Sequence, residues 1–196
     1  MTTADSLTAR LRRVSAWRCC RMPKQALARA SPRRMTLYLL DANVLIRADG
    51  DYYPLDRIPG FWSWLLEMAK AGRVKTPPKI YDEVAKSANQ LGQWLRRPEV
   101  HKAIVLAEPT SGAAVAQVIT EGYARDLNDI EIESLGRDPF LVAAALGGPE
   151  RIVVSREVSA PSKRRHNRKV PDVCRAFGIL CINDFDLWRR LDFRIA

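Results

Sequence analysis

The chain has 196 residues, 47% of them apolar, enough to bury one hydrophobic core. No apolar run approaches the roughly 20 residues a membrane-spanning helix needs, so no membrane partner is expected. The formal net charge of +10 is unevenly spread: residues 1–34 hold nine Arg/Lys against Asp5, a net of +8, leaving only +2 for residues 35–196. A nearly balanced body makes bulk charge a weak argument for a nucleic-acid partner.

The basic N-terminal extension, residues 1–34, has three readings: a polyanion-binding arm, an Arg-rich organelle transit segment, or a start placed too early. The last is favoured, because "MTLYLLDANVLI" turns at once from Met35 into a strand and the extension carries no core pattern. It also lacks the long apolar centre of a secretory signal, so a cytoplasmic location is expected. Cys19, Cys20, Cys174 and Cys181 include no CxxC pair and no zinc-type spacing, and are expected as reduced thiols.

Leu37 to Leu40 reads as a short buried strand ending in Asp41. A loop rich in Asp, Tyr and Pro follows, then helical spacing from Ile58 to Ala69, stopped by Gly72. Trp62 falls on the apolar face of that helix and is expected in the core, whereas Trp64 falls off it and is expected exposed. "RVKT", Arg73 to Thr76, is a short strand, and Pro77 and Pro78 open the helix "PPKIYDEVAKS". Gln90 to Arg97 adds a turn or two, and Ser111 to Ala124 reads as a helix, with a break at Asn128.

"GRDPFLVAAALGG" places Asp138 as a helix N-cap, Pro139 in the first turn and Gly147 at the end. Arg151 to Ser155 is a strand, and a basic loop leads to Lys169. "PDVCRAFGI" is a helix, "LCIN" a strand, and "DFDLWRRL" a closing helix capped by Asp184. Strands alternate with helices throughout residues 35–196. That pattern predicts one α/β domain, a three-layer α/β/α sandwich with a mainly parallel central sheet. Its functional cleft should lie beyond the carboxyl ends of the strands.

Asp41, Asp138 and Glu157 each stand beside an apolar element at that edge, and Glu83 can reach it from its helix. Singly, each has an ordinary reading as a cap, turn or solvated acid. Together, converging carboxylates repel one another unless a cation neutralises them. Oxygen ligands suit Mg²⁺ or Mn²⁺, which can lower the pKa of a bound water and brace a phosphorus centre under attack.

The succession "YLLDANVLI", "VKTPPKIYDEVAKS", "GRDPFLVAAAL" and "RIVVSREVS", over about residues 36–192, resembles the PIN domain in its branch of prokaryotic toxin ribonucleases. The resemblance implies that Asp41, Glu83 and Asp138 are metal-binding acids and that Asn43 supports Asp41 by hydrogen bonding. The family's fourth acid is commonly an aspartate shortly after a Ser or Thr. Here Ser155 is followed by Glu157, a departure from that pattern, with Asp172 as the competitor. The resemblance also implies a toxin held by an antitoxin protein, and allows a partner or homodimer surface at Trp64.

In "SKRRHNRK", Lys163, Arg164, Arg165, Arg168 and Lys169 follow the acidic edge and are candidate RNA contacts, supplying affinity without sequence choice. His166, with no orienting partner visible in the sequence, is a poor general base. The expected function is thus a metal-dependent ribonuclease hydrolysing RNA phosphodiester bonds. The alternative is a catalytically weak or inactive PIN-like module that binds RNA or protein. A phosphatase with Asp41 as nucleophile is disfavoured, because the second aspartate it needs is replaced by Asn43 and no glycine-rich phosphate loop appears.

Overall fold

The structure, a computed structural model, describes residues 35–194. The basic extension, with Cys19 and Cys20, lies outside the described residues. Four strands form one sheet: β1 (Leu37–Leu40), β2 (Val74–Lys75), β3 (Arg151–Val154) and β4 (Cys181–Ile182). Their order is β2-β1-β3-β4 and every pairing is parallel. Parallel neighbours need crossovers that cover the sheet faces, and the alternating helices supply them in an α/β/α sandwich.

The short strands are apolar and buried; Leu39, Leu40, Val153 and Val154 are all inaccessible. The helices are α1 (Ala42–Arg47), α2 (Pro59–Lys70), α3 (Pro78–Ala85), α4 (Gln90–Leu95), α5 (Pro98–Ile104), α6 (Gly112–Gln117), α7 (Asp129–Ser134), α8 (Asp138–Leu146), α9 (Val170–Ala176) and α10 (Asp184–Arg190). Helix α2 ends where Gly72 takes φ +72°, a left-handed conformation that costs glycine little. Its Phe61 and Trp62 are buried, and Trp62 meets Trp94 edge-on at 5.0 Å.

Several local expectations need correction. Trp64 is not an open surface ring: it is half-buried, 5.6 Å from Trp188 and 4.8 Å from Phe193. Asp184 does not cap α10. Asn183 does, its side chain accepting the Asp186 amide, which leaves Asp184 buried and ion-paired to Arg156 at 2.8 Å. Helices α1, α5 and α7 go beyond the elements the sequence predicts, and the stretch read as a loop begins with a π-helical turn, Ala48–Tyr52. Asn128, read as a break, starts α7 through a reciprocal capping box with Glu131.

The stretch from Ser111 also departs from a plain helix. Helix α6 gives way to a π-helical turn, Val118–Tyr123. A Cβ on Gly122 would lie 2.8 Å from Val173 Cγ1 and 2.9 Å from Phe177 Cε2. Glycine therefore lets this turn seat directly on α9. The widened turn rotates Tyr123 into the interior, where it is buried.

Candidate active site

The order β2-β1-β3-β4 reverses direction between β1 and β3, since the chain moves from β1 to one side and then returns to the other. In a parallel sheet this switch point opens a crevice beyond the strand carboxyl ends. Asp41 follows β1 and Ser155 follows β3, and Leu40 and Val154 are register partners. The two side chains meet across the crevice: Ser155 Oγ donates to Asp41 Oδ2 at 2.8 Å. Both residues are buried, at 4% and 2% exposure.

Burial raises the Asp41 pKa, and the Glu157 charge adds to the rise. The Ser155 hydroxyl and the amides of Ala42 and Asn43 oppose it. The Asn43 side chain is exposed and makes no hydrogen bond to Asp41, so the expected support comes from Ser155 and from backbone.

Helices return antiparallel to the strands, so the start of α8 comes back to the same edge. Asp138 is the first residue of α8, not its cap; Arg137 holds the cap position and no side chain caps the helix. Asp138 is thus not the side-chain cap of α8 but an acid in its first turn. Its carboxyl is pushed up to about 7 by burial first, then by the charges of Asp41, Glu157 and Glu83, with Lys169 opposing. Asp41, Glu157 and Glu83 thus all bear on the Asp138 charge. Glu83 is the outermost and is exposed on α3.

Glu157 has other partners. Its Oε1 meets Lys169 Nζ at 2.9 Å and its Oε2 accepts the Val170 amide at 2.7 Å, tying the loop after β3 to the start of α9. Among the described residues no three acid, thiol or imidazole groups form a ready ligand cage. The donor set nevertheless fits a hard divalent cation: it is all oxygen, and Asp138 is pushed up by burial first and then by like charges that a cation would offset. The buried Tyr123 hydroxyl has no hydrogen-bond partner among the described residues. Asp172 plays a different part. It accepts from Ser159 Oγ at 2.5 Å and from the Ala160 amide at 2.7 Å, and these bonds hold its carboxyl below the usual range against burial.

The basic loop is less free than its composition indicates. Arg165 bonds Asp126 at 2.7 Å and Glu131 at 2.8 Å, and the His166 ring meets Glu131 at 3.0 Å. That orienting partner for His166 is not visible in the sequence. Arg168 donates to the carbonyls of Gly122 and Asp172, and Lys169 is held by Glu157. Lys163 and Arg164 remain exposed without a carboxylate partner among the described residues. On the other side, a groove of about 660 Å³ opens beside Glu83. Its Lys79, Lys86 and Arg137 are exposed and likewise unpaired among the described residues, though Asp82 and Glu133 share the groove.

A family model described as "Domain of unknown function (DUF4411)" matches residues 38–195. The chain belongs to that family. Comparison with curated proteins finds no match. The DUF4411 match begins in β1 and runs past α10, so it takes in Asp41, Glu83, Asp138, Ser155 and Glu157 together. Sequence reading misses Tyr123, whose one local signal is the Gly-Tyr pair closing a helical run, and it misses the cations of the Glu83 groove, which lie on separate elements.

Proposed function

We propose that this DUF4411 chain is a Mg²⁺- or Mn²⁺-dependent ribonuclease of the PIN type, hydrolysing RNA phosphodiester bonds. What carries the reading is the buried Asp41 carboxyl, held by Ser155 at 2.8 Å at the sheet's switch point, supported by the half-buried Asp138 carboxyl, which burial and the charges of Asp41, Glu157 and Glu83 raise. Asp41, Asp138 and Glu83 would hold the cation, with Glu157 joining if it leaves Lys169. The cation would supply charge for the phosphate and an activated water.

The chain's own contributions follow from its contacts. Ser155 fixes the Asp41 carboxylate through their 2.8 Å bond, so one oxygen stays oriented toward the crevice. Lys169 offsets part of the acid repulsion from 2.9 Å beyond Glu157. Lys163, Arg164, Lys79, Lys86 and Arg137 would track the RNA backbone on either side, giving salt-dependent affinity. By its motif resemblance the protein would be the toxin of a toxin–antitoxin pair.

The test is cleavage of single-stranded RNA with Mn²⁺ by the full chain. Asp41→Asn should lose more than about 100-fold in rate while keeping its fold. One observation favours a second reading, a PIN-like module that binds without cutting: both Glu157 oxygens are already engaged. RNA binding with no Mn²⁺-dependent cleavage would select that module instead.

A further inference from the structure

A small cavity of about 210 Å³ lies between residues 161–164 and α9, where Lys163, Arg164, Arg168 and Arg175 face a single carboxylate, Asp172. Hydrogen bonds fix the three guanidinium heads at its wall. Arg164 donates to the Pro161 carbonyl, Arg168 to the Asp172 carbonyl at 3.1 Å, and Arg175 to the Asp172 carboxylate at 3.2 Å. Asp172 is buried and fully occupied: it also accepts from Ser159 Oγ and the Ala160 amide, tying that loop onto α9. Lys163, Arg164 and Arg168 form no ion pair among the described residues. Cations gathered round a concavity repel one another and concentrate a field that draws in an anion.

We propose that this cavity binds the terminal phosphate monoester of an RNA strand and so holds the strand by its end. This rests on the ribonuclease reading above. The volume falls below the roughly 300–1,000 Å³ of small-molecule sites, so it suits a phosphate group with a few waters rather than a whole nucleotide. The charge favours a monoester, which carries about −1.5 to −2 near pH 7, over a backbone diester. Guanidinium groups held in place offer paired N–H donors that match phosphate oxygens. The start of α9 serves both places: Lys169 and the Val170 amide hold Glu157, while Arg168 and Asp172 line the cavity. A strand anchored there presents the acids with a phosphodiester at a set distance from its end. Monoesters at the 5′ and 3′ ends share this chemistry, and the experiment separates them.

Fluorescence anisotropy in chelator measures the affinity of the full chain for one internally labelled single-stranded RNA carrying a 5′-phosphate, a 3′-phosphate or hydroxyls at both ends. One phosphorylated form should bind about tenfold tighter than the hydroxyl form at low salt, and inorganic phosphate should erase that margin. Arg175→Gln and, separately, Lys163→Ala should each cut the margin to about threefold or less. Both should melt within about 2 °C of wild type, because Arg175 is 68% exposed and Lys163 is exposed without an acid partner among the described residues. Equal affinity for all three RNAs, alongside Mn²⁺-dependent cleavage, overturns the site and leaves the ribonuclease reading standing. A margin unchanged in both variants also overturns it, since the phosphate is then held elsewhere. A phosphoserine peptide bound as tightly as phosphorylated RNA overturns the RNA end in favour of a protein partner. Wild type that neither binds nor cuts any of the three RNAs removes both readings together.

Discussion

Two acidic groups lie close along the chain, Glu131 on α7 and Asp138 on α8, and the fold treats them oppositely. Glu131 is held down to about 2 by the Arg165 guanidinium first, then by the Asn128 amide, with the His166 ring assisting. Asp138 is raised to about 7 by burial and by like charges. The first carboxylate has both oxygens engaged and closes a helix cap and a loop. The second has three acids for neighbours and a single lysine opposing them. A fully paired network is architecture, whereas charge left unbalanced in a crevice is what the proposed cation would neutralise.

The comparison breaks most visibly at Asp138 itself. Asp138→Asn should lose more than about 100-fold in Mn²⁺-dependent RNA cleavage, yet melt no lower than wild type in chelator at about pH 8, since it relieves repulsion. A variant that melts much lower would make Asp138 a structural acid like Glu131.

The pH dependence sharpens the same point. The folded chain holds the Asp138 proton up to about pH 7, whereas the unfolded chain releases it near 3.8. Between those values the native state binds more protons, so this group's contribution to stability falls as pH rises. Mn²⁺ affinity should run the other way and level off above about pH 7. Melting curves in chelator from about pH 5 to about pH 8 should therefore decline, with the decline smaller in Asp138→Asn. The neighbours acting on this titration are Asp41, Glu157, Glu83 and Lys169.

Glu131 carries the opposite sign. Its folded pKa is depressed, so its contribution is complete above about 4.5 and is lost as pH falls through about 2. Glu131→Gln should lower the melting temperature at neutral pH by a few degrees and leave the Mn²⁺ affinity unchanged. A shift in Mn²⁺ affinity would tie the α7 network to the acid crevice.

The smallest effects belong to the exposed cations. Lys163→Ala with Arg164→Ala, or Lys79→Ala with Lys86→Ala, should weaken RNA binding uniformly across sequences. For every phosphate that a removed cation had neutralised, the slope of log affinity against log salt should flatten by about one. Whichever pair leaves that slope unaltered lies off the strand's path. Among the described residues no helix is long and apolar enough to cross a membrane.

Much of the fold was legible because short apolar runs punctuated by Pro, Gly and Asn admit few alternatives. Leu37–Leu40, Pro78–Ala85, Asp138–Leu146 and Arg151–Val154 fall where strand and helix signals place them. Where two cap residues competed, local chemistry was insufficient: Asn183 and Asp184 are both good caps, and the buried Arg156 pair took Asp184 out of contention. The acids were legible as candidates since each flanks an apolar element.

By itself the sequence determined the parallel alternation, and with it the edge at which Asp41, Asp138 and Ser155 emerge. That follows from the two-residue period of strands and the 3.6-residue period of helices, which are local properties. Only the tertiary structure decided which charges remain unbalanced. Arg165 and His166 turn to Glu131, Arg165 also to Asp126, and Lys169 to Glu157, and Tyr123 is carried inward by a turn that no local pattern announces. Pairing and burial depend on which segments meet in space, and Coulomb interaction falls with distance through space rather than along the chain.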